Sequence, residues 1–257
     1  MAGPCFDAHC HLQDPRLGRR IPEVLARARE AGVTHVACCA TREADWDRVL
    51  ELARDHACVV PMLGLHPWFA EEAEAGWCGR LRARIGKAGI GECGLDFAPG
   101  RPGREVQEAA FLAQLELAIE SDRPVAIHCV RAWGRLVQLL RATGIPAAGA
   151  MVHGFGGSPE VAAELQGLGL YLSFSGAAVR PGARRGPLGL AAAAADRLLL
   201  ESDAPFGAAA GQASEDGEPA TIPELVLAAA RIRRADPERL AAEVHGNALR
   251  FFRRLLP

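Results

Sequence analysis

Lysine is nearly absent from this 257-residue chain: Lys87 is the only one, and arginine supplies the rest of the basic charge. Any site that needs a lysine is therefore confined to the one position 87. Aromatic residues make up only 5 % of the chain, too few for an extended base-stacking surface. A formal charge of −2 excludes a broadly basic, DNA-coating surface, while a local arginine cluster around a cleft stays open. The eight cysteines form no C-x-x-C pair and are scattered through a large apolar chain, so they read as small core residues of a reduced protein. The longest apolar run, "GLAAAAA" at 189–195, stops at Asp196, and "MAGPCFDAHCH" has no basic stretch followed by an apolar one. The expectation is a cytoplasmic protein with no membrane partner.

What the chain does have is alternation of short apolar strands with amphipathic helices. Candidate strands are Phe6–His11, Val33–Cys39, Cys58–Leu65, Ala88–Gly91, Pro124–His128, Ala148–His153, Leu170–Phe174 and Leu198–Glu201. Helical patterns such as "IPEVLARAREAG", "ADWDRVLELARDH" and "REVQEAAFLAQLELAIESD" lie between them, and two more, Pro223–Ala235 and Pro237–Leu256, close the chain. Eight strand-helix units predict a single α/β domain over 1–257, a (β/α)8 TIM barrel. A doubly wound sheet would need a glycine-rich first turn, and "DAHCHLQDP" offers none. The small, polar segment 206–220 reads as a loop over the barrel mouth.

In such a barrel, functional residues gather at the C-terminal strand ends. His9, His11, His66, His128 and His153, five of the eight histidines, fall there, with Glu92, Asp96, Glu201 and Asp203. Asp7, His9 and His11 alternate along the first strand and so share one face, away from Phe6, Ala8 and Cys10. Any one of these residues has a structural explanation, which is all that His35, His56 and His245 receive. Several imidazoles and carboxylates converging on one mouth are costly to bury unless a divalent cation pairs with them. Imidazole plus carboxylate without a cysteine set suits Zn, Mn, Fe, Co or Mg in an open site, and the number of candidates suggests two ions sharing a carboxylate. Cys10, Cys93 and Cys129 adjoin candidate ligands but face the other way. In "HGFGGSPE", Ser158 and Pro159 read as N-cap and first helical residue, leaving backbone N–H groups free for a phosphate or simply starting a helix.

Taken together, "DAHCH", "GLHP", "GECGLD", "IHC", "HGFGGS", "ESDAP" and "GNALRFF" resemble, in order over about residues 5–254, the TatD family of metal-dependent deoxyribonucleases within the amidohydrolase-like barrels. The resemblance implies a two-metal phosphodiester hydrolase using Mg, Mn or Zn and acting on the ends of single-stranded DNA. It implies His9, His11 and Asp203 on one ion, Glu92 as bridge, and His128 and His153 on the second. Asp7 would orient the His-x-His pair. His66 would contact phosphate or assist proton transfer, Asp203 would take a proton from the attacking water, and Glu201 would support the site or assist. Phe155, Gly156, Ser158 and Arg131 are candidate substrate contacts, and Trp68, Phe97 and Phe155 candidate stacking partners for a terminal base. One departure stands out: the arginine that commonly follows the strand-five histidine by two residues is here Val130, with Arg131 next. A small phosphoester, amide or ester as substrate, D-aminoacyl-tRNA deacylation, and a noncatalytic metal-binding module are the competing readings. The sequence leaves the oligomeric state open, a monomer included.

Overall fold

The computed structural model describes residues 3–18, 20–207 and 217–256. Eight strands, β1 (Cys5–Cys10), β2 (Val33–Cys39), β3 (Val59–Leu63), β4 (Gly89–Asp96), β5 (Val125–Val130), β6 (Ala150–Val152), β7 (Tyr171–Phe174) and β8 (Leu198–Leu200), form one sheet. They pair in parallel in the order β1 to β8. The sheet curls until its first and last strands meet: the Asp203 N–H donates to His9 O at 2.9 Å and the His11 N–H to Ala204 O at 2.7 Å. With helices between successive strands, this is the expected (β/α)8 barrel. The ring closes through the two segments that carry His9, His11 and Asp203.

Two layers of apolar side chains hold the barrel. Inside, Phe6, Ala8, Ala37, Met62, Ala126, Met151 and Leu199 pack on Phe251 and Phe252, which come from the last helix, Pro237–Phe252. Asp236 caps that helix, accepting from the Arg239 N–H, and Pro237 occupies its first turn. The rings of Phe6 and Phe252 stack at 4.9 Å, so the C-terminal helix plugs the end of the barrel opposite the mouth. Cys10, Cys93 and Cys129 belong instead to the layer between strands and helices. All eight cysteines are free thiols, as their scatter predicts.

The alternation expected along β1 does not survive. Against β2, Asp7 pairs with Val36 but Cys10 with Cys38, three steps against two. This irregularity puts Ala8 inside with Phe6 and turns Asp7 away from His9 and His11. Asp7 is fully buried in the wall, where Oδ1 accepts from the Ser202 N–H at 2.8 Å and from the His9 N–H at 3.3 Å. Strand ends also shift. β4 runs five residues past the predicted Gly91, because Gly94, Leu95 and Asp96 continue to pair with His128, Cys129 and Val130. β3 stops before Gly64 and Leu65, whose backbone turns to a side chain on another element. Most of the segment 206–220, residues 208–216, lies outside the described residues.

Candidate active site

Glycine sets the depth of the site. Gly94 has φ +137°, and a Cβ there would lie 2.9 Å from the His128 N and closer still to its carbonyl oxygen. A Cβ on Gly64 would meet the backbone of Gly91 and Glu92 at 2.6–2.9 Å. Only bare backbone lets β4 press between its neighbours and bring Glu92 to the centre of the mouth.

Around Glu92 the imidazoles divide by oxygen. Oε2 lies 3.3 Å from His9 Nε2 and 3.4 Å from His11 Nε2. Oε1 lies 2.6 Å from His153 Nε2, 2.9 Å from His128 Nδ1 and 3.1 Å from His66 Nε2. Asp203 Oδ1 is 3.7 Å from His11 Nε2. The chain thus brings His9, His11, His66, Glu92, His128, His153 and Asp203 to one place, and three subsets have ligand atoms within 4.8 Å of one another: His9–Glu92–His153, His9–His11–Asp203 and His66–Glu92–His128.

Far-side partners decide which ring nitrogen carries the proton. His11 Nδ1 is 2.8 Å from Cys39 O, so it donates and Nε2 turns a lone pair to the centre. His128 Nε2 lies 3.6 Å from Asp96 Oδ2, beyond hydrogen-bond distance, and Nδ1 points inward at Glu92. His153 Nδ1 lies 3.4 Å from Glu201 Oε1 without forming a hydrogen bond, and Nε2 points inward at Glu92. His66 is the reverse: its Nδ1 accepts from the Trp68 N–H at 3.1 Å, so Nε2 bears the proton and points a donor at Glu92. His66 is therefore unfit as a metal ligand despite its position. The remaining donors fit divalent cations. His9 Nε2 and His11 Nε2 are only 3.2 Å apart, and His128 Nδ1 and His153 Nε2 3.1 Å. Two lone pairs that close need a cation between them or a proton on one of them.

Electrostatics follow from this crowding. Burial alone would raise the Glu92 carboxyl, but His153, His66 and His128 outweigh it and hold it well below the usual range. Burial lowers His9 and His66 to about 4, so both are neutral. Burial opposes protonation of His153 as well, yet Glu92 and Glu201 raise it well above the ordinary value. Asp203 is pushed up to about 6 by burial, against the pull of His153 and His11. Its side chain remains 24 % exposed, at the lip of a cavity of about 310 Å³ lined also by His11, His66, Trp68, Phe69 and Phe206.

Several residues hold these in place. Glu201 is fully buried, and its Oε1 accepts from the Gly154 N–H at 2.6 Å beside His153. From the helix Arg104–Ser121, Gln114 Oε1 accepts from the Leu65 N–H at 2.7 Å, next to His66. Gln107 likewise takes the Asp96 N–H at 2.7 Å and donates to Asp96 O at 2.8 Å. These two glutamines went unread in the sequence. The available signal was two amides seven residues apart on the buried face of an amphipathic helix.

Other expectations fall elsewhere. Phe155 is 2 % exposed and packs on Trp133 and Phe174, so it is a core residue. Ser158 caps the helix Pro159–Gly167, its Oγ accepting from the Val161 N–H at 3.4 Å. Neither it nor Gly156 lines the cavity, and the plain helix start is the better account. Arg131, at φ 54°, is exposed beyond β5 and is also absent from the lining.

An open cluster of imidazoles and carboxylates at the C-terminal mouth of a (β/α)8 barrel defines a metal-dependent hydrolase. Residues 6–253 match the family described as TatD related DNase, and the chain belongs to that family. It is 35 % identical over 256 residues to the 3'-5' ssDNA/RNA exonuclease TatD of Cronobacter sakazakii, covering 96 % of this chain and 97 % of that one. It is 29 % identical to the uncharacterized metal-dependent hydrolase YabD of Bacillus subtilis, over 96 % and 98 % of the two chains. The crystal structure of YJJV, a TatD homolog from Escherichia coli K12, superposes with a TM-score of 0.92 at 28 % identity, over 97 % and 98 % of the chains. Organophosphorus hydrolase from Deinococcus radiodurans, at 17 % identity and a TM-score of 0.68, shares the fold alone. Among the described residues, no helix is long and apolar enough to cross a membrane.

Proposed function

We propose that this chain is an exonuclease that removes nucleotides from the ends of single-stranded DNA with the help of two divalent ions. The observation that carries the reading is Glu92, one carboxylate with a separate group of imidazoles at each oxygen. His9, His11 and Asp203 would hold one ion, His128 and His153 the other, and Glu92 both. Mg, Mn or Zn bound there supplies Lewis-acid stabilisation of charge on a phosphoryl group and eases deprotonation of water near neutral pH.

The chain's own residues do the rest. Asp203, partly open and with its pKa pushed up to about 6, accepts the proton of the attacking water. His66, neutral and lining the mouth, directs its Nε2–H at Glu92 Oε1, 3.1 Å away, beside the space a phosphoryl group would take. Glu201 and Asp96 orient the rings of His153 and His128 from behind. The relatives described as ssDNA/RNA exonucleases support nucleic acid ends as substrate. The test is a substrate panel with Mn-loaded protein: 3'- and 5'-labelled single-stranded DNA, duplex DNA, RNA, a nitrophenyl phosphoester, a nitrophenyl carboxylic ester and a D-aminoacyl-tRNA. Stepwise shortening of single-stranded DNA from one end is expected. Turnover confined to the small esters or to the aminoacyl-tRNA would replace this reading.

A further inference from the structure

Large aromatic side chains at a cavity rim either move freely or are held for a purpose. Trp68 is 41 % exposed and lines the mouth, yet its ring is fixed from several directions. Its Nε1–H donates to Asp96 Oδ2 at 2.6 Å. The His66 ring meets it nearly perpendicularly, at 5.0 Å between centroids and 87°. The Arg101 guanidinium lies over the indole at 3.7 Å from the ring centroid, while Arg101 Nε lies 3.3 Å from the same Asp96 oxygen.

We propose that Trp68 is a nucleobase platform that seats the terminal base of a single-stranded nucleic acid beside the metal-ligating residues. The proposal rests on the exonuclease reading and refines it. Arg101 covers one face of the indole, so a base would stack on the opposite one; a π-face accepts every base, which suits removal of nucleotides one after another without regard to sequence. Holding the indole in advance spares the ordering cost that a mobile side chain would incur on binding. The alternatives named from the sequence are weaker: Phe155 is buried, and Phe97 lies under Arg104 at 4.7 Å and does not line the cavity. The contact with His66 puts a base stacked on Trp68 beside the imidazole that borders Glu92.

The experiment compares wild type, Trp68→Ala and Trp68→Phe on single-stranded oligonucleotides ending in an ordinary nucleotide or in an abasic one. Trp68→Ala should raise KM on the ordinary end by about 5- to 150-fold, the range for loss of one base-aromatic stack, with little change in kcat. Trp68→Phe keeps a ring but loses the N–H to Asp96, and should recover most of that loss. On the abasic end, wild type and Trp68→Ala should be alike. Equal KM values on the ordinary end, or a Phe variant as poor as the Ala variant, would overturn the platform and assign the indole to positioning Asp96. No cleavage of either oligonucleotide by wild type would instead overturn the exonuclease reading, and this proposal with it.

Discussion

Gln114 takes up both backbone groups of Leu65: its Oε1 accepts from the Leu65 N–H at 2.7 Å and its Nε2 donates to Leu65 O at 3.1 Å. A side chain thus replaces the strand neighbour that Leu65 lost when β3 ended, and it does so one residue before His66. Gln114→Leu would leave two buried peptide groups unpaired, each at a cost of about 1–3 kcal/mol. A lower thermal midpoint is expected, together with a fall in kcat because His66 is no longer held. A variant with wild-type melting and rate would show that the clamp is dispensable.

Asp7 predicts a pH effect on stability. Burial pushes its carboxyl up to about 7, against the hydrogen bonds from Ser202, with Glu201 adding to the rise. A carboxyl raised on folding binds its proton more tightly in the native state, so its contribution is fully present below the ordinary carboxyl pKa. It is lost as pH rises through about 7. Between pH 5 and pH 8 the metal-free wild type should lose about 3 kcal/mol relative to Asp7→Asn, at about 1.4 kcal/mol per pKa unit over the two units below the folded pKa. Denaturant unfolding of the metal-free proteins at the two pH values measures the difference. Parallel behaviour of the two proteins would count against it.

Glu201 predicts an effect on metal affinity without direct ligation. Its carboxylate faces His153 Nδ1 at 3.4 Å and orients the ring whose other nitrogen points at Glu92. Glu201→Gln, close in shape but uncharged, should weaken binding of Mn or Zn by about 10- to 100-fold. Titration calorimetry on chelator-stripped protein reads this directly. An unchanged isotherm would mean that His153 needs no partner there.

The barrel was legible because its evidence is periodic: eight apolar strands alternate with amphipathic helices, and all eight strands appear. The gathering of His9, His11, His66, Glu92, His128, His153 and Asp203 was legible because a barrel sends every strand end to one mouth. Asp7 misled because strict alternation assumes an unbroken ladder, and a shift of one residue against β2 cannot be read from β1 alone. Phe155 and Ser158 misled because a motif gives proximity in sequence but not direction. The clamp by Gln107 and Gln114 was hidden because it joins a helix to the end of β4 and to the segment after β3, 11 and 49 residues away. The protonation pattern that separates His66 from the other histidines depends on the Trp68 N–H, a contact only the folded chain supplies.

The two-ion exonuclease stands or falls on cleavage of an end-labelled single-stranded oligonucleotide by metal-analysed protein, with Mg or Mn added or chelated and with Asp203→Asn in parallel. Metal-dependent shortening from one end is expected, abolished by chelator and reduced about 10²- to 10⁴-fold in a folded Asp203→Asn. A well-metallated wild type that leaves the strand intact, or an Asp203→Asn variant as fast as wild type, would contradict it.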